Sequence, residues 1–494
     1  MHCRGFQFTF VMGRNCHHNR KTMVFNTGAF AFFACVMLLA FWASAKWAAL
    51  RNTVLVLGSG YFYYCFRHAL PIYLAVVISL GYLGAHLVSR QSNKKSAKAV
   101  LATFITLIGA GLAYTKYSGL IFGNIPGLEQ WQASALSIVA PIGISYFTFS
   151  SIGYITDVYR GKTAAETNLL TYAAYISYFP HILSGPIPSS AEILPQFKAP
   201  VRPDRAKIER SLGEIAWGLF KKMVVADNMY LTVNYCFQHY TDLNGSSLFL
   251  GVTSFSLYLY ADFSGYSDIA MGVSRLMGIE LARNFKTPFF SRNPAEFWRR
   301  WHTSLRRWML DYIYLPMGGN QNDKLQYILL ILLIFSFSGL WHGANYTFIC
   351  WGLLNGLYFI PYILTGTLTR YRQPPSPGKL LPTGKEFFQM LLTFNLVTIT
   401  RVFFRSPDIH VVRDFFATMC SRTLFEAPSL IVLRNMAWCI PVLALEWVQR
   451  EQAWFMDYNR FVKWLKPVMH IAVIAAIALL YKKQNLSEYY YFKF

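Results

Sequence analysis

Apolar residues are gathered into long blocks along this chain, and polar residues are confined to the segments between them. Most blocks are long enough to cross about 30 Å of hydrocarbon as a helix. The pattern therefore predicts an all-α, polytopic membrane protein with roughly 11 to 13 transmembrane or re-entrant helices. The approximate bounds of the blocks are 27–45, 53–66, 69–88, 99–122, 132–156, 168–190, 223–242, 248–280, 326–343, 345–365, 386–404, 430–449 and 467–481.

The polar segments between the blocks are short, except for the stretches 191–222 and 281–325. No internal repeat and no hydrophilic domain is evident along the chain. We therefore expect residues 23–494 to form a single integral-membrane domain.

Residues 1–22 differ from the rest of the chain, because they are polar and basic. Met23 opens an apolar block of the kind with which a membrane protein naturally begins. We therefore interpret 1–22 as an atypical extension upstream of the true start. The tract Cys16, His17 and His18 leaves a metal-binding tail as the alternative.

Composition supports the membrane assignment, since 54% of the residues are hydrophobic, only 14% are charged, and the mean hydropathy is +0.31. In a soluble protein about a quarter of the residues are charged. The net charge of +23 would suggest nucleic acid in a soluble protein. Here it fits the excess of Lys and Arg on the cytoplasmic side of membranes, and no nucleic-acid-binding signature is present.

The eight cysteines are scattered and form no CxxC pair. This spacing argues against a disulfide framework and against a zinc site. We accordingly expect no metal and no bound cofactor.

Basic residues mark four polar segments as cytoplasmic, namely 89–98, 201–222, 283–307 and 369–379. Segments on one side of a membrane must be separated by an even number of crossings. Three apolar blocks lie between 89–98 and 201–222, so one of these blocks is not a full span.

The block 168–190 is the best candidate, because Pro180, Gly185, Pro186 and Pro188 would break a helix there. A broken helix at membrane depth persists only where protein or a cavity surrounds it. We therefore predict that this block is re-entrant, which places the N-terminus outside the cell.

The most informative short stretch is SFSGLWHGANY, residues 336–346, which places His342 between two apolar arms. No Asp, Glu, Lys or Arg occurs from Gln326 to Leu364. An ionisable group in such a setting is a functional candidate, and Gly339 and Gly343 predict a bend or a close helix contact beside it. The alternative is a neutral histidine that is hydrogen-bonded in the bundle core.

The two blocks around this stretch, 326–343 and 345–365, predict an out-and-back hairpin. Its turn falls near Gly343 to Asn345, so we expect His342 near a protein-walled bend that is reachable from the outer side. Asn345 is a candidate supporting residue.

His302 is the second candidate, in the segment EFWRRWHTSLRRWMLDYIYLPMGGN, residues 296–320. A helix would place four apolar residues on one face, namely Trp298, Trp301, Leu305 and Trp308. It would place four arginines mostly on the other, namely Arg299, Arg300, Arg306 and Arg307. This pattern predicts an interfacial helix, which is either a simple anchor or a cytoplasmic lid whose arginines bind the phosphates of a donor.

Two carboxylates, Asp262 and Asp268, lie in a block that is otherwise apolar from Ser246 to Val273. Either could orient a histidine or mark a polar path; alternatively, nearby Tyr, Ser or Arg groups satisfy both. Together with the histidines and arginines, they suit general acid–base chemistry on an acyl donor or transport.

Two sequence segments together resemble those of the membrane-bound O-acyltransferase family. They are WRRWHTSLRRWMLDYIYLPMGGN and FSGLWHGANYTFICWGLLNG. The nearest likeness is to the bacterial branch of alginate O-acetyltransferase, the cellulose acetylation enzymes and the D-alanyl transferase of teichoic acids. Supporting stretches are PIGISYFTFSSIGYITDVYRG, SYFPHILSGPIP, GLFKKMVVADN, YADFSGYSDIAMGVSRLMGIELARNFKTPF and TRVFFRSP.

The resemblance implies that His342, in the WHG motif, is catalytic and that His302 is the second characteristic residue. It also implies a helical bundle with a funnel or tunnel in which a cytoplasmic donor meets an acceptor from outside. Arg401 departs from the pattern, since many relatives carry an aromatic residue there.

Three functional hypotheses are compatible with these features. The first is an O-acetyltransferase of the bacterial inner membrane that uses acetyl-CoA or another acyl thioester as co-substrate. It would work with a periplasmic SGNH-like acetyltransferase and with polysaccharide synthesis machinery to acetylate an exported polysaccharide. The second is D-alanyl transfer from a carrier protein to teichoic acid. The third, from a different class, is a transporter or flippase without chemistry of its own.

Overall fold

The computed structural model describes residues 23–66, 70–122, 142–319, 323–452, 466–481 and 489–490. Across these ranges the regular structure is helical and includes no strand, so the predicted all-α class is confirmed. The extension 1–22 and the first part of the block 132–156 lie outside the described residues.

Six helical stretches of the described chain are long and apolar enough to cross a membrane, which confirms the polytopic architecture. They are Pro71–Ser89, Lys94–Ile121, Lys324–His342, Tyr346–Leu364, Gly384–Arg405 and Leu430–Val448. Two shorter apolar helices, Gly28–Ser44 and Pro467–Leu480, accompany them.

The N-terminal part consists of four helices that follow the first four predicted blocks closely. They are α1 (Gly28–Ser44), α2 (Ala48–Tyr64), α3 (Leu70–Ser89) and α4 (Lys94–Phe122). Helix α1 packs on α2, and α3 packs on α4.

The part of the chain from Ile144 to Gln238 has shorter helices, and these are more deeply buried. It comprises α5 (Ile144–Tyr159), α6 (Leu169–Ser177), α7 (Phe179–Ile182), α8 (Ser190–Lys198), α9 (Arg205–Leu219), a π-helical segment (Phe220–Ala226) and α10 (Asp227–Gln238). The block 168–190 is indeed broken, at Tyr178 before Pro180. Buried protein surrounds the break, as an interrupted helix at membrane depth requires. The re-entrant path of this block stays a prediction.

Helix α11 (Gly245–Leu276) is the central element of the bundle. Nearly every residue in it is buried, and its main partners are α9 and α10. Gly218 and Gly265 make the contact with α9 possible, because a Cβ on either would meet the backbone of the other. The element that holds Asp262 and Asp268 is therefore a core helix.

The prediction of one amphipathic helix over 296–320 is wrong. The chain forms α12 (Pro294–Arg300), a corner at Trp301 and His302, α13 (Thr303–Met309) and a π-helical turn (Leu310–Tyr314). Trp301, Leu305 and Trp308 are buried in the protein. The segment is thus part of the bundle interior and not an anchor that lies along the membrane surface.

The predicted hairpin is confirmed. It consists of α14 (Lys324–His342), a turn at residues 343–345, α15 (Tyr346–Leu357) and α16 (Ile360–Leu364). The first two helices pack closely, because a Cβ on Gly339 would meet the main-chain oxygen of Phe348 and one on Gly352 would meet that of Phe335.

The C-terminal part begins with α17 (Gly384–Arg405), whose start is fixed by a capping box between Thr383 and Glu386. The subsequent helices are α18 (Ile409–Met419), α19 (Leu430–Met436), α20 (Ile440–Val448) and α21 (Lys466–Leu480). Helix α17 packs against α11 and α15, and so completes the wall behind His342.

Candidate functional site

His342 is the last residue of α14, and the helix stops there because Gly343 is extended (φ −170°). Asn345 begins the next helix, since its side chain accepts a hydrogen bond from the Thr347 amide at 3.0 Å. The side-chain amide nitrogen of Asn345 also donates a hydrogen bond to the main-chain oxygen of Pro407. Asn345 therefore fixes the turn after His342, and its supporting role in the chemistry stays a prediction.

The His342 imidazole is buried, with 4% of the residue exposed. Aromatic rings surround it: the ring centroids of Trp341, Phe404 and Trp351 lie 4.8, 5.0 and 5.2 Å from its own. A bulky apolar wall of this kind fixes the direction of the ring and keeps water away from it.

His302 lies at the corner between α12 and α13 in the left-handed region, with φ 45°. The corner is held by Asn284, whose side-chain oxygen accepts from the Ser304 hydroxyl at 2.6 Å and whose main-chain oxygen accepts from the Thr303 amide at 3.0 Å. Burial lowers the pKa of His302 to about 3, so its imidazole is neutral at pH 7.

Both histidines line one cavity of about 310 Å³, which we call the histidine cavity. Its remaining lining is Ala295, Trp298, Arg299, Trp301, Leu305, Arg306, Met309, Leu310, Tyr314, Tyr327, Ile331, Ile334, Phe335, Ser338, Phe359, Leu368 and Thr369. Residues far apart in sequence are thus brought to one concave, mostly apolar site with a few polar groups, as is typical of ligand pockets.

The four candidate arginines divide into two pairs. Arg299 and Arg306 line the histidine cavity, and Arg299 is held by two main-chain oxygens, each at 2.8 Å. Arg300 and Arg307 are instead engaged by carboxylates, those of Glu296 at 2.8 Å and Glu192 at 2.6 Å. Only the first pair is placed to meet a ligand in this cavity.

Asp262 and Asp268 are not among the described residues that line the histidine cavity. The Asp262 carboxylate accepts from Lys222 at 2.8 Å, and Asp268 pairs with Lys221 at 2.6 Å. Lys222 also pairs with Asp227 at 2.9 Å. The structure therefore favours the interpretation that both carboxylates are satisfied by neighbours, although these neighbours are lysines of the π-helical segment.

Two cations near the site were not proposed for it from the sequence. Lys116 and Arg401 are close enough to interact electrostatically with the His342 imidazole, and the Arg401 guanidinium lies 4.5 Å from the Trp301 ring centroid. The signal for Lys116 was available, because it is a charged residue inside the apolar block 99–122.

The arrangement suits acyl transfer. A neutral imidazole in a closed apolar site can act as a general base near pH 7. Neighbouring donors and cations can stabilise the oxyanion that develops at an attacked carbonyl.

Comparison with known proteins points to the same chemistry. The sequence profile of the membrane-bound O-acyltransferase family matches residues 162–394, which include both histidines. The probable alginate O-acetylase of Pseudomonas syringae pv. tomato is 33% identical over 407 residues, which cover 81% of this chain and 75% of the relative.

Two further relatives have different named acceptors or donors. The peptidoglycan O-acetyltransferase of Helicobacter pylori is 30% identical over 78% of both chains. The teichoic acid D-alanyltransferase of Bacillus subtilis is 30% identical over 56% of this chain and 71% of its own. All three relatives are named as enzymes of acyl transfer, so the transporter hypothesis is set aside. This chain is a multi-pass membrane acyltransferase and belongs to the membrane-bound O-acyltransferase family.

Proposed function

We propose that this protein transfers an acetyl group from cytoplasmic acetyl-CoA, across the inner membrane of a bacterium, for the O-acetylation of an exported polysaccharide. The observation that carries this proposal is that His342, His302 and two arginines line one cavity. The names of the alginate and peptidoglycan relatives support acetyl as the group and a polysaccharide as the acceptor.

In this mechanism His342 takes the proton of the accepting hydroxyl, and the hydroxyl oxygen attacks the thioester carbonyl carbon. The carbonyl oxygen becomes negative in the tetrahedral intermediate, and neighbouring donors stabilise it. The carbon–sulfur bond then breaks, and the departing thiolate takes the proton from His342. Base and acid are thus the same imidazole, as in other acyl transfers.

The arginines supply a docking point for the donor. Arg299 and Arg306 lie in the segment 283–307, which the charge pattern predicts to be cytoplasmic. Guanidinium groups bind phosphate oxygens in a forked geometry. We therefore place the phosphates of acetyl-CoA at these arginines, so that the thioester end enters the histidine cavity.

The partners proposed for the outer side are a periplasmic SGNH-like acetyltransferase and the polysaccharide synthesis machinery. We include them because the histidine cavity, at about 310 Å³, is small compared with a polymer. In this scheme the hydroxyl that accepts the acetyl group belongs to the partner, which then passes the group to the polymer. The predicted topology also places the His342 turn toward the outer side of the membrane, where such a partner would collect the group.

D-alanyl transfer from a carrier protein is the second candidate, because the teichoic acid D-alanyltransferase is also a relative. The alignment with it covers 56% of this chain, against 81% for the alginate O-acetylase. The two donors differ in size and charge, and an experiment can separate them.

The test uses inside-out membrane vesicles, from cells that make the polymer, with either acetyl-labelled acetyl-CoA or a carrier protein charged with labelled D-alanine. We expect label in the polymer fraction from acetyl-CoA alone, and none from vesicles without the protein. Label from the charged carrier alone would overturn the acetyl donor in favour of D-alanine.

A further inference from the structure

The end of α14 exposes main-chain oxygens at the place where His342 is held. The last four carbonyls of any helix lack partners within the helix. Since α14 stops at His342 and the chain turns away in an extended conformation at Gly343, these oxygens need other donors. Trp341 and His342 are buried, so these donors come from neighbouring parts of the protein.

Helix α4 supplies two of these donors from adjacent positions. The Tyr117 hydroxyl donates to the main-chain oxygen of Leu340 at 2.9 Å. The Lys116 ammonium donates to the main-chain oxygen of Trp341, the residue before His342. It also lies 3.4 Å from the Ser145 hydroxyl and 5.6 Å from the centroid of the Trp341 ring.

A cation is well suited to this position. The end of a helix carries a partial negative charge, and a positive side chain near it is stabilising. A hydrogen bond from an ammonium group to a carbonyl is also stronger than one between neutral groups. Lys116 and Tyr117 therefore hold the last turn of α14 together, and an ammonium at Lys116 would make its hydrogen bond the stronger of the two.

We propose that Lys116 is a positioning residue for acyl transfer, which holds the Trp341–His342 corner so that the imidazole faces the histidine cavity. This inference rests on the proposed function. Lys116 acts through the main chain of Trp341, so its removal lowers the rate of the chemical step and leaves donor binding at Arg299 and Arg306 intact.

The test compares Lys116→Met, Lys116→Arg and Tyr117→Phe in the vesicle assay with acetyl-CoA. Methionine keeps the approximate length of the side chain and removes the charge and the donors, whereas arginine keeps both. The matched control is Lys95→Met, because Lys95 is an exposed lysine near the start of the same helix. The melting temperature of each purified variant in detergent is measured beside kcat and the donor KM.

We expect Lys116→Met to lower kcat at least tenfold with the donor KM changed less than twofold. Lys116→Arg should restore most of the rate, Tyr117→Phe should lower kcat only a few-fold, and Lys95→Met should match the wild type. A normal kcat for Lys116→Met overturns the inference. So does a loss that arginine does not restore or that accompanies a matching fall in melting temperature, since either result indicates a structural role alone.

Wild type and His342→Ala are run in the same assay. If the wild type shows no transfer from acetyl-CoA, or if His342→Ala is fully active, the proposed function fails. If both behave as expected and Lys116→Met is nevertheless unimpaired, only the inference about Lys116 fails.

Discussion

A histidine inside a membrane protein is useful for catalysis only when its neighbours fix its direction and its protonation state. His342 is clamped among Trp341, Trp351 and Phe404, and His302 sits at a corner that Asn284 holds. Among the described residues, no carboxylate lines the cavity that both histidines share. The two imidazoles therefore share a mostly apolar cavity in which each can accept or donate a proton.

The arginine pair gives a prediction at the same scale. Arg306→Ala should raise the KM for acetyl-CoA about tenfold, because a charge-assisted hydrogen bond to phosphate is worth about 1.5–3 kcal/mol. The kcat should stay near normal, since the lost interaction stabilises the bound donor and the transition state equally. Arg307→Ala is the control, because Arg307 pairs with Glu192. If the two substitutions change the KM for acetyl-CoA equally, Arg306 is not a donor-binding residue.

The sequence singled out His342 and His302 as candidates, and the structure brings both to one cavity. It could not divide the four arginines, because a continuous helix from 296 to 320 places all of them on a similar face. The break at His302 depends on tertiary partners such as Asn284 and Ser304, which no local pattern reveals.

At the level of elements, the site depends on how tightly the hairpin of α14 and α15 closes. Gly339, which lies three residues before His342 in α14, packs against the main chain at Phe348 of α15. The distance between these two helices therefore sets the position of the imidazole relative to the rest of the histidine cavity.

Gly339→Ala tests this dependence. The added methyl group would meet main-chain atoms that cannot rotate away, and overpacking of this kind destabilises by about 1–3 kcal/mol. We expect a lower melting temperature in detergent and a reduced kcat. Gly109→Ala in α4 is the matched control, because a Cβ there meets nothing within 4 Å and alanine is favoured over glycine in a helix. If the two variants have the same melting temperature and the same kcat, the close contact at Gly339 does not set the position of His342.

The apolar blocks predicted these elements well, since each described helix in a block lies near its predicted bounds. The broken block 168–190 was also predictable, because prolines act locally. By contrast, the partners of Asp262 and Asp268 depend on the π-helical segment Phe220–Ala226, which turns Lys221 and Lys222 into the core. A π-helical turn has no clear local signature, so these ion pairs were not foreseen.

For the whole molecule, the predicted orientation has the basic segments facing the cytoplasm and the turn after His342 facing outward. This orientation is inferred from the distribution of Lys and Arg and from the even number of crossings between these segments. In this predicted orientation the donor arginines and the acceptor partner lie on opposite sides, as transfer across a membrane requires.

Labelling with a membrane-impermeant maleimide tests this orientation. The cells keep a sealed inner membrane, and the reagent can reach its outer face. A variant whose only cysteine is the exposed Cys420, which lies after α17 and α18, should be labelled without lysis. A cysteine-free variant carrying Ser92→Cys, at an exposed position of the basic segment 89–98, should be labelled only after lysis. The reverse pattern would invert the topology and with it the side of the donor.

The most direct test of His342 as the catalytic base is the rate of acetyl transfer from labelled acetyl-CoA by the His342→Ala variant, measured with the purified protein, its partner and the polymer acceptor. Removal of a general base costs about 100-fold or more in rate, so we expect a fall of that size with an unchanged melting temperature and little change in donor KM. A folded His342→Ala protein that transfers acetyl at the wild-type rate would contradict the assignment of this residue as the catalytic base.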